Sequence, residues 1–86
     1  MKYHLTSDPG HGWLHVKRAE LERLGIAGQI TSCSYQRGAM TYLEEDRDMT
    51  TFIRAKRALR EPVEWVAHYC DYTPIRGYAR FQREVA

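Results

Sequence analysis

Glycine and proline cut this chain into pieces too short to form anything but single strands and single helices. The breaks fall at SDPGHG (residues 7–12), Gly25, Gly28, the Arg37-Gly38 pair, Pro62 and Pro74. Each marks a turn or a stop, because glycine tolerates positive φ and proline withholds a backbone donor. No repeat, low-complexity tract or linker interrupts the 86 residues, so the expectation is one domain, residues 1–86, around one core.

Between the breaks the hydrophobic period switches between two and 3.6 residues. WLHV reads as a strand and KRAELERLGI as a helix with Leu21 and Leu24 on one face. Gly25 suits the left-handed position just past a helix, and Ile26 is placed to fold back on Leu21 in a Schellman stop. ITSCSYQRGAMTYLEE predicts a hairpin turning at Arg37 and Gly38, since β-branched and aromatic residues flank the glycine. From about Asp48 to Arg60, Met49, Phe52, Ile53 and Leu59 share one helical face while Arg54, Arg57 and Glu61 fall on another, and Pro62 forbids continuation. VEWVAHYC reads as a strand, and the tail YTPIRGYARFQREVA turns at Pro74 and ends in a short helix.

The order strand, helix, strand, strand, helix, strand predicts an α+β fold: an antiparallel sheet of four to five strands with two helices on one face, ferredoxin-like (split βαβ) or a close variant. KYHLT near the start adds an edge strand in the variant form.

Composition narrows the function classes. At 43% hydrophobic and 28% charged residues the chain buries too much to be disordered, and no apolar run is long enough to cross a membrane. The first residues lack the apolar core of a signal peptide, so a cytoplasmic protein is expected, with Cys33 and Cys70 reduced. A net charge of +2 says little about nucleic acid, but acids crowd Glu44 to Asp48 while Arg54, Lys56, Arg57, Arg60, Arg76, Arg80 and Arg83 follow. Such a patchy surface favours binding.

The most loaded stretch is TYLEEDRDMTTF, residues 41–52. At a strand-to-helix junction, Asp46 or Asp48 can accept from the first unpaired N–H groups of the helix, and the neighbouring acids favour its positive end. A catalytic reading needs two carboxylates in different environments beside a histidine, and the sequence shows no such asymmetry. The spaced acids and glycine of a hard-metal loop are missing. The remaining reading is an acidic docking surface of Glu44, Glu45, Asp46 and Asp48, complemented by Arg54, Arg57, Arg60 and Arg76. Arg76 lies between apolar residues in PIRGY, where pairing with the junction acids would anchor the tail.

His4, His11, His15, His68, Cys33 and Cys70 do not have zinc-finger spacing, and no nucleophile arrangement or phosphate loop occurs, so neither metal, cofactor nor catalytic residue is expected. Strand alternation puts Trp13 with His15 on one face, Tyr42 toward the same side, and Trp65 with Tyr69 on one face of the last strand. Left open, Trp13, Tyr42, Trp65 and Tyr69 would form a stacking platform for single-stranded nucleic acid. Covered, they would pack under Ile75, Tyr78 and Phe81 of the tail or in a homodimer interface.

GHGWLHV, LGIAGQIT, SYQRGAMTYLEEDRD and PIRGYARF together resemble a family of small uncharacterised proteins encoded by bacteriophages, prophages and plasmids. The resemblance implies a mobile-element accessory protein that binds a host protein or ribonucleoprotein complex stoichiometrically in the bacterial cytoplasm, without turnover. Counter-defence of the anti-CRISPR type is its most specific form. The alternative is a nucleic-acid-binding module using the aromatic sheet face and the basic helix.

Overall fold

A computed structural model describes residues 2–83. Six strands form one mixed sheet: β1 (Lys2–Ser7), β2 (Gly12–Lys17), β3 (Tyr35–Arg37), β4 (Met40–Glu44), β5 (Glu64–Tyr69) and β6 (Ala79–Arg80). Two helices, α1 (Arg18–Arg23) and α2 (Asp48–Ala58), complete an α+β domain. No helix of the described residues is long and apolar enough to cross a membrane.

The strand order is β5-β1-β2-β4-β3-β6. All pairings are antiparallel except β1 with β5, which run parallel from Lys2↔Glu64 to Ser7↔Tyr69. The sheet is therefore neither purely antiparallel nor limited to five strands. KYHLT, expected at an edge, lies between β5 and β2. A split βαβ layout would have β5 beside β2, and the inserted strand separates them. Tyr3 and Leu5 explain the insertion: they face the helices and join the main core, a burial that an edge would not give them.

The main core joins Leu14 and Val16 of β2, Leu43 of β4, Leu21 of α1 and Met49 and Phe52 of α2. Phe52 is fully buried with its ring edge-on to Tyr3, and its truncation to alanine should cost about 3–5 kcal/mol. Contrary to the helical wheel, Leu59 is exposed and Lys56 takes an inward position. The Lys56 ammonium reaches Glu20 at 2.8 Å and Glu61 at 3.0 Å, so its stem packs while its charge stays paired.

The local stops follow the sequence chemistry. Gly25 has φ +72°, and Ile26 N–H donates to the Leu21 carbonyl at 3.0 Å, the long bond of a Schellman motif. Gly38 has φ +58° in the β3–β4 turn. By contrast, residues 30–34, expected as strand, form a loop. Thr31 and Ser34 direct their hydroxyls at the Asp48 carboxylate, which also accepts from the Thr31 N–H at 3.1 Å, so this segment is bonded to α2 in place of a neighbouring strand.

After β5 the chain crosses the second face of the sheet to deliver β6 to the opposite edge. A 3-10 turn at Pro74–Gly77 seats Ile75 against Trp13, Tyr35 and Tyr42, with Tyr78 beside them. Phe81, expected in this cover, packs in the main core on the helix side instead. The tail covers β2, β4 and β3 and leaves the β5–β1 half of this face uncovered, where His4 and His68 sit 2.9 Å apart.

Candidate functional site

The acid junction divides into structural and exposed members. Asp48 is 1% exposed and binds the loop at 31–34, which removes it from any docking surface. Neither it nor Asp46 caps α2: the N-cap is Arg47, with no side-chain cap bond. Glu44 is also buried, because the Trp13↔Glu44 register places it on the tail-covered side of β4. Its Oε2 accepts the Asp46 N–H at 2.9 Å. Only Glu45 and Asp46 remain as an exposed acidic surface.

The arginines part company as well. Arg54, Arg57 and Arg60 are exposed on or just after α2 and make no ion pair among the described residues. Arg76 does not reach the acids at 44–48. It pairs with Asp8 through its Nε and through Nη2 at 3.0 Å, and its guanidinium lies over the Trp13 ring. Asp8, fixed by N–H donation from Gly10 and His11, had no signal in the sequence beyond the turn it opens.

The proposed stacking platform does not assemble. Trp13 and Tyr42 share a face, but Trp13 is 2% exposed beneath Ile75 and Arg76, and Tyr42 is buried against Tyr78. The Tyr3↔Trp65 register puts Trp65 and Tyr69 on the opposite, helix-bearing side. Parallel insertion of β1 causes this split, since it fixes the phase of β5 against the rest of the sheet.

What the sheet leaves open is the outer edge of β5. All six of its residues are exposed, with Trp65 at 42% and Tyr69 at 63%, and Tyr72 beyond its end is more exposed still. Among the described residues only β1 pairs with it. Cys70 N–H donates to the Ser7 carbonyl at 2.8 Å, which fixes the alternation. The peptide groups of Glu64, Val66 and His68 serve β1, so those of Trp65, Ala67 and Tyr69 point outward.

The two edges of the sheet are treated differently. At one, β6 is two residues long and carries Arg80, a short and charged terminus that resists pairing. At the other, β5 is six residues long, without lysine or proline, and presents Trp65, Val66, Ala67 and Tyr69 beside Glu64 and His68. Such an edge is a template for another strand.

Compared with protein-family models, curated proteins and solved structures, the chain matches none.

Proposed function

We propose that this protein is a protein-binding module whose working surface is the outer edge of β5, and that the strand added there is β5 of a second copy. The observation that carries the reading is the one-sided pairing of an exposed six-residue strand.

Self-pairing is supported by the order of side chains along β5. In an antiparallel pair about a two-fold axis at Val66, Trp65 faces the second copy's Ala67, large against small, and Glu64 faces the second copy's His68, an acid against a proton-accepting ring. The outward peptide groups of Trp65 and Ala67 then exchange hydrogen bonds with their counterparts. Both helical layers stay on the same side, so the two sheets continue into one. An edge-only contact is small, which makes the dimer reversible.

Light scattering coupled to size exclusion tests this. The wild type should run as a dimer that dissociates on dilution, and Ala67→Pro, which removes an outward donor without touching the β1 ladder, should be monomeric with an unchanged circular dichroism spectrum. A wild type that stays monomeric at every concentration overturns the proposal.

A further inference from the structure

A second site lies at the other end of the sheet, independent of the β5 edge. The loop before β2, the end of β4 and the residues leading into α2 meet around a cavity of about 430 Å³ whose wall includes His11, Trp13, Cys33, Glu44 and Asp46. Two polar atoms on this wall are buried without a hydrogen-bond partner among the described residues: Glu44 Oε1 and Trp13 Nε1. Glu44 is 8% exposed, and a buried carboxylate oxygen without a hydrogen-bond donor calls for a partner.

Donor atoms of His11, Glu44 and Asp46 lie within 4.8 Å of one another. His11 Nδ1 stands 3.5 Å from Glu44 Oε1. Two ligands about 2.1 Å from a tetrahedral ion are about 3.4 Å apart, so this pair already has the spacing of a shared metal. The Asp46 N–H bond to Glu44 Oε2 holds the carboxylate so that its free oxygen faces the histidine. Of the arginines on this wall, Arg76 is held on Asp8 and Arg80 lies over Tyr35, while Arg47 makes no ion pair among the described residues.

We infer that His11, Glu44 and Asp46 bind one divalent transition ion of the zinc class. One imidazole and two carboxylates suit zinc or cobalt, whereas magnesium and calcium favour oxygen ligands alone. The ion supplies the positive charge that Glu44 Oε1 faces only through His11. Binding ties the loop at residues 8–12 to the start of α2.

Titration of metal-free protein with Zn²⁺ by calorimetry, and with Co²⁺ by visible absorption, tests the site. One equivalent should bind and raise the melting temperature. His11→Asn and Glu44→Gln, checked for folding by circular dichroism, should each weaken binding about tenfold or more. His4→Asn, which disrupts the separate His4–His68 pair, should bind as the wild type does. Absence of uptake by folded protein overturns the inference, as does uptake that survives His11→Asn and Glu44→Gln or that is lost with His4→Asn.

Discussion

Arg76 closes an ion pair with Asp8, 68 positions away in the chain, while its guanidinium covers the ring of Trp13. One side chain thus locks the tail over the second face of the sheet and ties it to the turn that opens β2. The guanidinium holds the Asp8 carboxyl far below the usual carboxylate range. Arg76→Ala should lower the melting temperature by several degrees and alter the near-ultraviolet signal of Trp13, with Arg76→Lys recovering only part of either. An unchanged near-ultraviolet spectrum in Arg76→Ala would show that Ile75, Phe81 and the β6–β3 pairing hold the tail without Arg76.

Asp48 is a fastener of the 31–34 loop. Asp48→Ala leaves the Thr31 N–H and the Thr31 and Ser34 hydroxyls without their acceptor in a largely buried position, and should cost about 3 kcal/mol in urea denaturation. Asp48→Asn, which keeps one acceptor, should cost less. Equal losses would mean that shape rather than hydrogen bonding sets the site.

Arg60 occupies the left-handed position after α2, with φ 58°, and Glu61 N–H donates to the Lys56 carbonyl at 2.9 Å as in a helix stop normally built on glycine. Arg60→Gly should therefore stabilise the protein by about 1 kcal/mol, although it removes a charge from an exposed surface. A loss of stability would place the contribution of Arg60 in its side chain.

Acid should act through the network that joins β1, α1 and α2. The hydrogen bond from Arg23, and then that from Lys56, hold Glu61 at about 2 against an ordinary 4.5. Burial pushes Glu20 upward, but its bonds to Lys56, Tyr3 and Arg23 together outweigh this and lower it. A carboxylate depressed in the folded state contributes fully above its unfolded pKa and loses the contribution as pH falls toward its folded value. Stability should then decline from about pH 4.5 to about pH 2, and Glu61→Gln should flatten that decline. Chemical denaturation at several pH values in both proteins gives the comparison, and parallel curves would exclude Glu61 as a contributor.

The features that were legible in the sequence are local ones. Gly25 with Ile26, the Gly38 turn and the stop at Pro62 each act within a few residues, so spacing alone reveals them. The misplaced features depend on pairings distant in the chain. Nothing near KYHLT says that it will be flanked by β5 on one side and β2 on the other, and that insertion is what moves Trp65 and Tyr69 off the face of Trp13. Lys56 reads as a polar helix residue because its partner Glu20 stands 36 positions away on α1. His11 stands 33 positions before Glu44, and only the Trp13↔Glu44 register brings it to the junction acids. The β5 edge was hidden for the same reason: a strand reads alike whether it has one neighbour or two.

The most direct test of the edge is amide hydrogen exchange read residue by residue by NMR at increasing protein concentration. Pairing of β5 with a second copy predicts that the outward amides of Trp65 and Ala67 exchange fast in dilute solution and become protected as concentration rises, while those of Val66 and His68, already bonded to β1, stay protected throughout. Exchange at Trp65 and Ala67 that remains fast at all concentrations would contradict it.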